Sequence, residues 1–131
     1  MLLRRYMSLI GIGSARVDLV LEKENVRPGD SMTGTFNING GTIEQQIKRI
    51  ECDLVKTSIK TGSEEVVDSM IILTAKLINS EETSNIPFTF FIPPTLEASC
   101  ASLSYRFQTR MIFQEGVKSM DQDVIIVLPA S

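Results

Sequence analysis

Apolar and polar residues alternate along most of this chain with a period of two, the pattern of extended strands that bury one face. Val17, Leu19 and Leu21 fall on one face, with Asp18 and Glu22 on the other. Met32, Gly34, Phe36 and Ile38 share a face opposed by Thr33, Thr35, Asn37 and Asn39. Ile50, Cys52 and Leu54 alternate with Arg49, Glu51 and Asp53. Ile86, Phe88, Phe90 and Ile92 repeat the period, as do Tyr105, Phe107, Thr109, Met111 and Phe113. Residues 124–128 are almost continuously apolar, which suits a strand covered on both faces. Residues 66–78, VVDSMIILTAKLI, are long enough for a helix, but their isoleucines and valines predict a strand.

Breakers separate these runs: NVRPGD, NGGT, TGSEE, NSEETSN, PPTLEAS and QEGVK. About seven strands divided by turn signals predict an all-β fold, an antiparallel β-sandwich whose two sheets each bury one side of every strand. The glycines of VRPGDSMTGTFNINGG then read as punctuation. Pro28 fixes φ and Gly29 supplies positive φ, so residues 27–30 suit a type II turn. Gly34 lies on an inward face, where a missing side chain permits close packing, and Gly40 with Gly41 follows as the next turn. A phosphate cradle needs backbone amides that open a helix, and none is expected here. The same test removes GIGSAR, residues 11–16, because a strand comes next.

The first residues follow a different period. Leu2, Leu3, Tyr6, Met7 and Ile10 have helical spacing, with Arg4, Arg5 and Ser8 on the other side. They predict a short amphipathic segment, residues 1–13, ahead of a single sandwich domain at 14–131. The apolar run is too short to span a bilayer and weak as an export signal. Its five apolar residues either cover an open end of the core or form a contact face for a partner or a membrane surface.

Composition narrows function by subtraction. The chain of 131 residues contains no histidine, which excludes triads built on that residue and removes the commonest general base and metal ligand. Its net charge of −3 offers no general attraction to nucleic acid. Cys52 and Cys100 match no zinc or redox spacing and read as two reduced thiols, Cys52 in the core. Carboxylates gather at Glu64, Glu65 and Asp68, at Glu81 and Glu82, and at Asp121 and Asp123 ahead of the last strand. Solvated turns account for them, and no calcium-loop spacing appears. Arg49, Lys48, Lys56 and Lys60 are interrupted by Glu51 and Asp53, as on an ordinary mixed surface. No catalytic, cofactor or metal residue is assigned. What remains is binding, for which exposed sheet edges provide unpaired backbone groups.

The order of three stretches carries a family resemblance: VDLVLEKENVRPGDSMTGTFNINGG, IPFTFFIPPTLEAS and SYRFQTRMIFQ. Together they resemble arrestin-like domains, and the segment beginning SLIGIGSARVDLVLEKENVRPGD is similar to the bacterial sporulation-control family with that fold. The resemblance implies a non-enzymatic, cytoplasmic regulator that acts through protein partners in control of sporulation. It also implies two lobes, of which this length suits the first, so that a homodimer through sheet edges or the exposed lobe surface is an expectation. The alternatives are a sugar- or lipid-binding sandwich and a small carboxylate- or metal-dependent hydrolase.

Overall fold

The computed structural model describes residues 13–130, which form nine strands and no helix. They are β1 (Arg16–Leu21), β2 (Asn25–Val26), β3 (Ser31–Asn39), β4 (Gln45–Ser58), β5 (Glu64–Leu73), β6 (Leu77–Ile78), β7 (Thr83–Phe91), β8 (Leu103–Phe113) and β9 (Lys118–Val127). Seven are long, and β2 and β6 have two residues each. The expected helix near the N-terminus, with Leu2, Leu3, Tyr6, Met7 and Ile10, lies outside the described residues.

One sheet has three strands in the order β1-β3-β7, and the other six in the order β2-β9-β8-β4-β5, with β6 also on β4. Pairing is antiparallel except between β2 and β9. The two inner faces close on one apolar core, as the alternation requires. Phe36 of β3 and Phe88 of β7 meet edge to face at 5.2 Å, and Phe88 meets Phe107 of β8 at 5.3 Å, so aromatic rings join the sheets at the centre.

Turn chemistry follows the sequence where it was read from backbone rules. Asp30 N–H donates to the Arg27 carbonyl at 3.1 Å, and Gly29 has φ of 87°, which a side chain rarely tolerates. Gly34 is required for a different reason: a Cβ there would strike the Val20 carbonyl oxygen of β1. Gly40 and Gly41 are also close-approach positions, packed on Asn79 and on Gly13, within the crossing from β3 to β4.

Three expectations need correction. Residues 124–128 are covered on one face only, since Ile125 and Val127 are buried while Val124 is 70% and Ile126 50% exposed. The run looks continuous because both faces of β9 are apolar there, and among the described residues no layer covers the outer one. Asp121 and Asp123 lie inside β9 rather than ahead of it, because that strand starts at Lys118. Glu64, Glu65 and Asp68 belong to β5 rather than to its flanking turn.

Candidate functional site

With the core closed, the edges of the sheets and the ring around them are where chemistry could occur. The edges differ sharply. β1 borders the three-stranded sheet, and its outward amides would be free donors were they not capped by side chains from the opposite sheet. Ala15 N–H donates to Gln45 Oε1 at 2.7 Å, Val17 N–H to Ser119 Oγ at 3.1 Å, and Leu19 N–H to Asp121 Oδ2 at 2.8 Å. The alternation that places Val17 and Leu19 inward also aims every second amide at β9, so one row of side chains closes the seam.

β7, at the other side of that sheet, is broken as an edge by proline. Ile92, just past β7, donates to Asp30 and accepts from Gly29, so even-numbered positions bond toward β3. Pro87 therefore belongs to the outward set, where its missing N–H is tolerated and removes a docking donor. β5 is guarded less: among the described residues one of its amides is capped, Ser69 N–H donating to Asp68 Oδ1 at 2.8 Å. It is a ten-residue edge strand, EEVVDSMIIL, paired on one side with β4. Its Ile71 is 60% exposed, Val66 54% and Leu73 82%.

The outer face of the larger sheet carries the mixed charges expected from sequence. Arg110 bridges Glu51 at 2.9 Å and Asp53 at 2.9 Å, and Arg49 reaches Glu51 at 2.6 Å. Hydrogen bonds from Arg49 and then Arg110 hold Glu51 below the usual glutamate range. Arg106 is engaged by Glu64, Gln122 and Thr57. These arginines are paired in place, so they form no free basic patch.

Carboxylates from three positions meet at the β1–β9 seam: oxygens of Asp18, Asp121 and Asp123 lie within 4.8 Å of one another. Sequence reasoning named Asp121 and Asp123 but missed Asp18, whose parity puts it on the opposite face from Leu19. Its place on an edge strand lets it reach around to β9, a relation that no local period encodes. Asp123 Oδ2 is shielded from solvent and has no hydrogen-bond partner. Burial first, and then hydrogen bonding to and charge on Asp121, push the Asp123 carboxyl up to about 7. Burial and the Asp121 charge raise Asp18 as well.

The remaining candidates are quiet. Cys52 is buried and accepts a hydrogen bond from Thr109, while burial pushes its thiol up to about 12, so it is inert at neutral pH. Cys100 is exposed, and both thiols are free. Among the described residues a shallow polar depression of about 310 Å³, lined by Glu22, Lys23, Arg27, Asp30 and Leu128, sits at the end bearing the type II turn. No described helix is long and apolar enough to cross a membrane.

These features define an all-β sandwich with one edge, β5, left largely open among the described residues, and those residues carry no assembled nucleophile and base. A family model described as "SpoOM protein" matches residues 3–131, so the chain belongs to the Spo0M family of sporulation-control proteins. It is 29% identical over 123 residues to the sporulation-control protein spo0M of Bacillus subtilis (strain 168), a match covering 89% of this chain and 48% of that protein. The crystal structure of Spo0M, sporulation control protein, from Bacillus subtilis superposes with a TM-score of 0.78 at 28% identity, covering 92% of this chain and 51% of that one. The chain thus spans about half the length of the relative it matches.

Proposed function

We propose that this chain is a non-enzymatic interaction module that acts in the cytoplasm to regulate sporulation by pairing β5 with an extended segment of a protein partner. One observation carries the reading: β5 is a long edge strand without proline whose Ile71 and Leu73 remain exposed. Strand addition draws affinity from main-chain hydrogen bonds and specificity from flanking side chains, and β5 offers both. The guarded β1 and the proline-bearing β7 are poorer templates for the same act. The absence of histidine from the whole chain and the high thiol pKa of Cys52 support a role without turnover.

The test is capture from extracts of sporulating cells with the wild-type chain, with Ile71→Lys, and with Thr89→Lys on β7. A specific protein retained by the wild type and by Thr89→Lys but lost with Ile71→Lys supports the reading. Equal retention by all three overturns it, as does turnover of a small substrate that survives purification. A fourth chain lacking residues 1–12 asks whether Leu2, Leu3, Tyr6, Met7 and Ile10 contribute to the same contact. Self-pairing of β5 is distinguished by concentration-dependent size on gel filtration.

A further inference from the structure

The seam between β1 and β9 contains more than caps. Asp121 uses one carboxylate oxygen to hold the Leu19 amide, and beside it lie the carboxylates of Asp18 and Asp123. No ion pair within 4.0 Å joins any of the three to a cation among the described residues. Three full negative charges at that spacing, one with a solvent-shielded oxygen, repel strongly in a partly dehydrated site. The neighbour available to the unpartnered Asp123 oxygen is a second carboxylate, and only a proton turns two carboxylates into a hydrogen bond.

We propose that Asp18, Asp121 and Asp123 form a proton-held latch: a shared proton keeps β1 closed on β9, and its loss frees the β1 edge amides.

Among the described residues, the groups around the cluster leave the proton as the neutralising charge. From β4 and β8 come Cys52 and Thr109, which lie in register with Asp121 and are uncharged at neutral pH. Asn37 of β3 stands opposite Asp18. Arg106 and Arg110, the cations of β8 nearest in register to β9, are committed to Glu64 and Gln122 and to Glu51 and Asp53. Arg16 of β1 and Lys118 of β9 make no ion pair with the three. The elevated carboxyl of Asp123 places the transition near neutrality, where a cell's own pH changes reach it.

The opening is local. Val17 and Leu19 lose their acceptors, whereas the β1–β3 ladder and the core remain. Freed amides on an edge strand are a template for another chain, so the latch would add a second edge to that of β5. This inference stands on the seam geometry and does not depend on the role proposed for β5.

Amide hydrogen exchange followed by NMR on the whole chain tests it, read as protection factors so that the intrinsic pH dependence of exchange cancels. Protection at Val17 and Leu19 is expected to fall about tenfold or more between about pH 6 and about pH 8, with Phe36 and Phe107 unchanged. Asp123→Asn should flatten the profile. Asp18→Asn, which alters an exposed side chain, should do so in part and provides the same reading if Asp123→Asn does not fold. A flat wild-type profile, or variants that follow the wild type, overturns the latch. Restoration of protection at about pH 8 by about 1 mM calcium also overturns it, because the seam would then be held by a cation.

Discussion

β1 and β5 are both edge strands, yet each treats its free backbone in an opposite way. Three side chains of other strands are spent on the β1 edge: Ser119 and Asp121 cap outward amides of β1, and Gln45 caps Ala15 just before it. β5 has one local cap among the described residues, Asp68 on the Ser69 amide, and shows Ile71 and Leu73 to solvent. The difference follows from the unequal width of the sheets. With three strands facing six, β1 ends directly against β9, whereas β5 has β4 on one side and no strand of the smaller sheet bonded to the other. An edge inside the fold must satisfy its donors internally, because a shielded unpaired amide costs about 1–3 kcal/mol. An edge in water carries no such obligation and remains available.

The contrast breaks most completely where β1 itself is displaced. Gly34→Val places a Cβ on the Val20 carbonyl oxygen, and β1 must leave β3 or the new side chain must leave the strand. A loss of about 3 kcal/mol is expected in urea unfolding, near the upper end for overpacking. Asp121→Ala comes next, at about 2 kcal/mol, since Leu19 loses its acceptor within the seam. Asp121→Asn sharpens the point. It keeps an acceptor for Leu19 and removes a charge from the carboxylate cluster, so its stability should equal or exceed the wild type at about pH 8. If both variants lose equally, the cap is not what holds β1.

The pH dependence should also have opposite signs at the β1–β9 seam and on the outer face of β4. Asp123 is raised in the folded chain from 3.8 to about 7. Its contribution is therefore full below the ordinary aspartate value and is lost as pH rises through about 7. Glu51 is lowered by its two arginines, so its contribution is present above the ordinary glutamate value and is lost as pH falls through the lowered one. Urea midpoints across this range should decline on the alkaline side in the wild type, and Asp123→Asn should remove that decline. Glu51→Gln should remove part of the acid-side loss and leave the alkaline side as it was.

The faces of the strands were legible because a residue's burial in a sheet depends on parity, and parity is local. Phe36, Phe88 and Phe107 were placed inward on that basis and form the centre of the core. Parity failed at two kinds of place. It slips at the bulge between Leu54 and Val55, where consecutive residues are both buried. It is also silent about what covers a face, so the apolar outer side of β9 at Val124 and Ile126 looked enclosed. The carboxylate seam combines both limits. Ser119, Asp121 and Asp123 continue the inward row of Ile125 and Val127, but they meet an edge instead of the core. Their partner Asp18 lies about a hundred residues away in sequence, and only the stacking of two sheets brings it near.

The smallest thermodynamic effect is expected at β5, and that smallness is itself informative. Ile71→Lys changes a side chain that is 60% exposed and stands opposite Glu51 in the register. The new cation faces a carboxylate already bound by two arginines, so it gains little and loses little. Stability should stay within about 0.5 kcal/mol of the wild type, as for surface substitutions generally. A lysine on an edge strand nevertheless obstructs pairing, because a second strand would have to desolvate it. Folding and association should thus separate, with urea midpoints unchanged while retention of a partner or self-association on gel filtration is lost. A large fall in stability would mean that Ile71 is covered within the fold, and β5 would then be a closed edge like β1.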